Sequence, residues 1–65
     1  TKIELKDVTL YASSTSEDGT KKSGTFYLYD GAEINGRMRI TIKPEYCGNT
    51  PIGMYVTGWV NKADI

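Results

Sequence analysis

The chain sets its fold at residues 35–42, which read Asn-Gly-Arg-Met-Arg-Ile-Thr-Ile. The Asn-Gly pair is the strongest short-range signal of a two-residue β-hairpin turn, because both residues tolerate the positive φ that this turn needs. Apolar and polar residues then alternate, which is the pattern of a half-buried strand. The apolar face is predicted to carry Met38, Ile40 and Ile42, and the polar face Arg37, Arg39 and Thr41. The stretch therefore predicts a turn followed by a strand.

Three other segments have β-type patterns, and no window of the chain shows the 3.6-residue period of a helix. Ile3–Ala12 alternates and predicts a first strand or strand pair. Gly24–Asp30 is rich in aromatic strand formers, and Gly58–Val60 predicts a short last strand. We therefore expect an all-β fold of about five short strands, either a small antiparallel barrel or a pair of orthogonal sheets.

The segments between these strands are predicted to be irregular. Ser13–Ser23 contains no apolar residue and predicts a long loop, and loops of this length are usually functional or mobile. Asp30-Gly31 predicts a turn. Lys43–Thr57 holds both prolines, which cannot donate to a strand ladder and so argue against a central strand. Asn61–Asp64 predicts a single helical turn with Asn61 as its N-cap.

Composition argues against several classes of function. The chain has no histidine and Cys47 is its only cysteine, which excludes an internal disulfide, a Cys/His zinc site and a Ser-His or Cys-His nucleophile pair. A formal net charge of zero argues against nucleic acid or an anionic membrane as the main partner. No pair of carboxylates has the apolar surroundings that acid/base catalysis requires, and no apolar run is long enough for membrane insertion. The sequence therefore predicts a non-catalytic module with no cofactor and no metal.

Seven aromatic side chains in 65 residues are the main indication of a binding surface. Tyr and Trp combine a broad apolar face with a polar tip, which suits a shallow, wet groove for a peptide or a sugar. The early loop adds hydroxyl and carboxylate groups, and arginines on the polar face of a strand are suited to clamping a carboxylate. The predicted ligand-binding residues are Tyr11, Ser13, Glu17, Tyr29, Arg37, Tyr46, Tyr55 and Trp59.

Each of these groups also has an interpretation that needs no ligand. The rings can fill the interior of a small barrel: we expect this of Phe26, whereas Trp59 fits either role and the buried face of the strand that contains Phe26 is undecided. The Ser13–Ser23 loop can simply be solvated. Arg37 and Arg39 can be edge charges that deter strand-to-strand aggregation.

The order of these features resembles the bacterial SH3 (SH3b) domain family. Four segments carry the resemblance: Val8–Ser14 as the opening strand, Lys22–Tyr29 as a glycine and apolar strand, Asn35–Ile40 as a turn and third strand, and Gly58–Asn61 with Ala63 and Ile65 as the closing Gly-Trp-Val and terminal apolar residue. The closing segment is the most specific of the four. The resemblance implies a small SH3-like antiparallel barrel with a long RT-type loop and one short helical turn near the C-terminus.

Within this family, the chain is similar to the cell-wall-binding domains of phage endolysins and of autolysins of Gram-positive bacteria. The resemblance implies that residues 1–65 form a single SH3b-like domain of a longer protein, which binds peptidoglycan or another cell-wall polymer without catalysis. It would thereby target a linked hydrolase to the wall, as a secreted or wall-associated protein, with tandem or dimeric use left open. The alternative is a protein–protein module that binds a peptide in a phage or secreted assembly.

Overall fold

Four strands in the computed structural model, which describes residues 1–65, form one antiparallel sheet that closes on itself. They are β1 (Lys2–Tyr11), β2 (Gly19–Ile34), β3 (Arg37–Thr41) and β4 (Gly58–Asn61), hydrogen-bonded in this order, with β4 returning to β1. Three short helical segments complete the chain: a 3-10 turn at Pro44–Tyr46, α1 at Ile52–Tyr55 and a second 3-10 turn at Lys62–Asp64. The prediction of an all-β antiparallel fold is confirmed, with four strands in place of about five.

The Asn-Gly turn forms where the sequence predicts it. Asn35 and Gly36 have φ values of 53° and 75°, so both adopt the left-handed conformation that a tight hairpin turn requires. β3 begins at the next residue and pairs with β2, with Arg37 opposite Ile34. The turn therefore fixes the register of this hairpin and with it the face on which each β3 side chain lies.

The ring is closed at a narrow seam between β1 and β4, which pair through Tyr11 and Trp59. Gly58, at the start of β4, is buried against the end of β1. A Cβ at this position would lie 2.6 Å from Leu10 Cδ1 and 3.1 Å from the Tyr11 carbonyl oxygen. Because these separations are too short for a side chain, Gly58 allows the two strands to approach closely enough to close the ring.

The hydrophobic core lies inside the ring and takes residues from every strand. Its buried members are Leu5, Val8, Phe26, Ile40 and Val60, and the half-buried Ile3, Leu10 and Leu28 pack against them. Phe26 and Leu28 therefore point inward, which resolves the face that the sequence leaves undecided. Because successive strand side chains alternate between faces, Tyr27 and Tyr29 lie on the outer face of β2.

The polar segment before the aromatic run is a strand, where the sequence predicts a loop. β2 begins at Gly19, and its first residues pair with the end of β1, from Tyr11 opposite Gly19 to Val8 opposite Lys22. Residues 19–25 are all exposed, so no burial selects apolar residues there and the hydrophobic pattern that marks a strand is missing. The predicted loop of residues 13–23 is therefore too long, since only residues 12–18 connect β1 to β2.

A second correction concerns Asp30-Gly31, which lies inside β2 instead of forming a turn between strands. The pairing of β2 with β3 changes register between Leu28 and Glu33, so this part of the strand is irregular. Asp30 Oδ1 accepts a hydrogen bond from the Ala32 backbone N–H at 3.3 Å, which is the local bond that makes aspartate common in turns. A hydrogen bond typical of turns therefore lies within an irregular part of β2, which continues as one long element.

The alternation predicted for residues 37–42 holds at Met38 and Ile40, which are buried, and fails at its end. Thr41 is fully buried and Ile42 is 51% exposed. β3 ends at Thr41, so the strand period no longer determines the direction of the Ile42 side chain. The assignment of Ile42 to the apolar face is therefore wrong.

The proline-rich segment between β3 and β4 contains no strand, as predicted, and includes the first 3-10 turn and α1. The helical turn after β4 is also confirmed, with Asn61 at its N-cap position. The Asn61 side chain makes no capping hydrogen bond, however. Its Oδ1 accepts a hydrogen bond from Arg37 Nε instead, at 3.1 Å.

Candidate functional site

The outer surface of the ring carries two arginines beside two aromatic rings, and we call it the arginine face. Its members are Tyr11 of β1, Arg37 and Arg39 of β3, and Trp59 and Asn61 of β4. Strand pairing places them together, since Trp59 lies opposite both Tyr11 and Arg39, and Asn61 lies opposite Arg37. β3 is hydrogen-bonded to a neighbour on each side. The interpretation of Arg37 and Arg39 as charges guarding a free sheet edge is therefore wrong.

Arg37 is held by neutral groups at one end of the arginine face. Its Nη1 donates to the carbonyl oxygens of Ser13 at 3.0 Å and Ser16 at 2.7 Å, and its Nε donates to Asn61. The guanidinium carbon lies 3.5 Å from the centroid of the Tyr11 ring. Three hydrogen bonds and one cation–π contact thus fix this group, and they fasten the loop of residues 12–18 to the ring.

The charge of Arg37 is not neutralised within the chain. Its only hydrogen-bond acceptors are two carbonyl oxygens and one amide oxygen. No carboxylate oxygen lies within 4.0 Å of its guanidinium group. The two ion pairs of the structure are Arg39 with Asp30 and Lys62 with Glu33. Its Nη2 amino group donates to nothing in the chain and keeps two N–H donors for another partner.

Arg39, two residues along the same strand, is paired with an acid. Its Nη2 lies 2.5 Å from Asp30 Oδ2, and the two side chains are 13% and 31% exposed. The guanidinium carbon lies 5.4 Å from the centroid of Trp59 and 5.7 Å from that of Tyr29. This end of the face is therefore a neutral and largely buried cluster.

Three buried side-chain polar atoms have no hydrogen-bond partner in the chain, two of them in the Arg39 cluster: Tyr29 Oη and Arg39 Nε, with Thr41 Oγ1 as the third. Burial of an unpaired polar group costs about 1–3 kcal/mol. The pairing of Arg39 Nη2 with Asp30 is therefore the one ionic contact of a cluster whose other polar groups are incompletely paired.

A second aromatic pair lies in the segment between β3 and β4. The centroids of Tyr46 and Tyr55 are 5.2 Å apart and their planes are inclined at 60°, an edge-to-face contact. Lys43 Nζ lies 5.5 Å from the centroid of Tyr46. Neither ring stacks on an arginine of the arginine face, so this pair is a separate surface feature.

The eight residues predicted from sequence therefore fall into separate groups. Tyr11, Ser13, Arg37 and Trp59 come together at the arginine face. Glu17 is exposed in the adjoining loop and forms no ion pair. Tyr29 is only 4% exposed, beneath Arg39, and is not part of an open surface. The remaining two, Tyr46 and Tyr55, form the separate ring pair.

Sequence reasoning considered Arg39, with Arg37, as a carboxylate clamp but did not include it among the predicted ligand-binding residues, and it missed Asp30 and Asn61 as site residues. The two-residue spacing of Arg39 from Arg37 places both on one face, as the alternation of this strand predicts. The pairing of Arg39 with Asp30 crosses strands, and the contact of Asn61 with Arg37 spans 24 positions of the chain. No local pattern in the sequence indicates either contact.

The surface has no enclosed pocket, and no group of three Cys, Asp or Glu side chains is arranged to hold a metal ion. None of the helical segments has the length and the hydrophobicity needed to cross a membrane. Comparison with protein-family models, with curated proteins and with solved structures finds no match to this chain.

Proposed function

We propose that this chain is a non-catalytic module that binds peptidoglycan or a related cell-wall polymer on its arginine face. The observation that carries the proposal is Arg37, a fixed guanidinium with a free amino group, stacked on Tyr11 beside a hydroxyl-rich loop. The closed four-stranded antiparallel sheet is compatible with the SH3-like barrel that the Gly58–Asn61 segment suggests. The resemblance to SH3b domains supplies the wall polymer as the ligand class.

The chemistry of the arginine face suits such a polymer. Peptidoglycan combines sugar rings, whose faces are apolar, with short peptides that carry carboxylates and amides. Tyr11 and Trp59 are half-buried, so part of each ring is available for contact with a sugar or a peptide. Arg37 offers hydrogen-bond donors of fixed orientation to the polar groups between those contacts.

A module of this kind acts through local concentration. When a weak binding site is joined by a linker to a second domain, the second domain meets its substrate at the effective concentration set by the linker. A shallow face of modest affinity is therefore sufficient to hold a linked hydrolase on the wall. This role places the protein outside the cell or at the cell wall.

The proposal is tested by sedimentation with purified peptidoglycan sacculi. The chain, fused to a fluorescent reporter, is expected to sediment with sacculi, whereas the reporter alone stays in solution. Arg37→Gln is expected to reduce the bound fraction. Lys2→Gln removes an exposed positive charge that forms no ion pair, at the opposite end of β1 from Tyr11, and is expected to leave the bound fraction unchanged. If the unmodified chain remains in solution with sacculi from several Gram-positive bacteria, the wall-binding proposal is wrong.

One observation favours the alternative of a protein partner. Ile52 and Met54, both in α1, are 42% and 73% exposed, and α1 ends at Tyr55 of the Tyr46–Tyr55 pair. Exposed apolar side chains mark a protein contact when they form a contiguous patch, and these two lie on one short helix. Under this alternative, Met54→Ser would weaken binding to a partner peptide, whereas Arg37→Gln would not.

A further inference from the structure

We propose that Arg37 binds a carboxylate of the ligand through its Nη2 amino group. For the identity of the ligand this inference rests on the proposed function, since a wall peptide with a free carboxylate is the natural source. The recognition chemistry itself rests only on the surroundings of Arg37. A ligand carboxylate would supply the one partner that this guanidinium lacks in the chain.

The first step of the argument is orientation. Nε and Nη1 of Arg37 are engaged by Asn61, Ser13 and Ser16, and the flat group rests on the Tyr11 ring. A free arginine side chain loses much rotamer freedom when it binds a ligand, which weakens the affinity. Here that freedom is already lost in the folded protein, so a carboxylate meets a group that is prearranged.

The second step is charge. Carbonyl and amide oxygens satisfy the N–H donors of Arg37 but bring no negative charge, so the full positive charge remains. The group is half-buried, and an ionic hydrogen bond is stronger where water is partly excluded. Arg39 serves as the internal contrast, because Asp30 already neutralises it.

The third step limits the geometry of the contact. A carboxylate often binds arginine through two parallel hydrogen bonds from neighbouring nitrogens. In this protein both Nη1 bonds go to the loop carbonyls and Nε is bound to Asn61. The carboxylate is therefore received at Nη2 alone, and the two-nitrogen clamp would require the loop to release Arg37.

The nearby acid modulates this site. Glu17 follows Ser16, whose carbonyl oxygen accepts from Arg37, and its exposed side chain forms no ion pair. A negative charge in this loop opposes the approach of an anion. Glu17→Gln is therefore expected to tighten carboxylate binding, by about twofold because the charge is exposed and screened by salt.

The experiment is an NMR titration of the 65-residue chain with two probes, N-acetyl-Ala-Ala bearing a free carboxylate and the same peptide as its C-terminal amide. The acid is expected to give saturable shifts of the Arg37 Nε–H signal and of backbone amides of residues 12–18. The amide is expected to bind about tenfold more weakly, because it lacks the charge of the ionic hydrogen bond. Equal shifts from both peptides would overturn the inference.

Two variants separate recognition by the guanidinium group from general attraction to positive charge. Arg37→Lys keeps the charge but removes the planar group, and is expected to weaken binding of the acid by about fivefold or more. Lys2→Gln, which removes an unpaired exposed charge at the opposite end of β1 from Tyr11, is expected to leave that affinity unchanged. If Lys2→Gln weakens binding as much as Arg37→Lys does, the attraction is general electrostatics and the inference fails.

This test separates the two proposals. If the chain sediments with sacculi but does not distinguish acid from amide, the carboxylate inference is wrong and the wall-binding proposal stands. If the acid binds selectively at Arg37 and the chain does not sediment with sacculi, the wall-binding proposal is wrong and the carboxylate site stands.

Discussion

Two arginines, two residues apart on one face of one strand, have opposite surroundings in this protein. Arg39 is paired with Asp30 and lies between Trp59 and Tyr29. Arg37 is held by the carbonyl oxygens of the loop of residues 12–18 and by the Tyr11 ring, with no acid beside it. The comparison shows that the partner, more than the residue type, decides the role of an arginine. A carboxylate neutralises the guanidinium charge within the folded chain. Neutral acceptors fix the position of the guanidinium group but leave its positive charge available to a ligand.

The largest effect on stability is expected from removing the acid that pairs with Arg39. Asp30→Ala removes the only acid beside a guanidinium that is 13% exposed, and we expect it to lower the free energy of unfolding by about 2–3 kcal/mol. Urea denaturation monitored by tryptophan fluorescence measures this. The matched control is Glu33→Ala, which breaks the exposed pair with Lys62 and is expected to cost about 0–1 kcal/mol. Equal losses in both variants would contradict the contrast.

A smaller effect on stability is expected when the guanidinium group of Arg37 is replaced by an ammonium group. Arg37→Lys retains the charge, but an ammonium group cannot make the same three bonds and stack on Tyr11. We expect a loss of about 1–1.5 kcal/mol in the free energy of unfolding. We also expect increased fast motion of residues 12–18, which backbone ¹⁵N relaxation measures. Unchanged relaxation in this loop would show that Arg37 does not fasten it.

The stack beneath Arg37 can be tested without touching the arginine. Tyr11→Leu removes the aromatic face, and we expect it to lower the free energy of unfolding by about 0.5–1 kcal/mol. Tyr11→Phe keeps the face and loses only the hydroxyl, so its stability is expected to match that of the unmodified chain. If the two variants are equally destabilised in urea denaturation, the ring is not acting as a platform for the guanidinium.

The smallest effect is expected away from the arginine face. A double-mutant cycle with Tyr46→Leu and Tyr55→Leu is expected to give a coupling energy of about 0.5 kcal/mol for their edge-to-face contact. Neither substitution is expected to change the NMR titration with the acid peptide. A shift of that affinity in either variant would mean that the ring pair and the arginine face form one site.

The parts of the fold that could be predicted are those that local chemistry controls. Asn35-Gly36 specifies its turn because few residues accept its φ values, and β3 follows from an alternation that the core imposes. The start of β2 could not be predicted in this way. Its residues are exposed on both faces and are held by pairing with β1, so their sequence carries no record of burial.

The candidate site was predictable only in part, for the same physical reason. Tyr11, Arg37 and Trp59 have side chains whose chemistry is conspicuous in any context. The distinction between the two arginines, however, depends on Asp30 and on the backbone carbonyls of the 12–18 loop, which belong to other parts of the chain. Every residue has a backbone carbonyl, so the sequence does not indicate which carbonyl oxygens accept hydrogen bonds from Arg37. Only the folded structure identifies them.

The narrow seam of the ring has a consequence for the order of folding. β1, β2 and β3 are joined as successive hairpins, whereas the pairing of Tyr11 with Trp59 joins distant parts of the chain and requires a large loop to close. We expect the hairpins to form first and the seam to close last. Interactions made after the transition state chiefly slow unfolding. A ligand seated on Arg37, beside that seam, would therefore lengthen the lifetime of the native state more than it would hasten its formation.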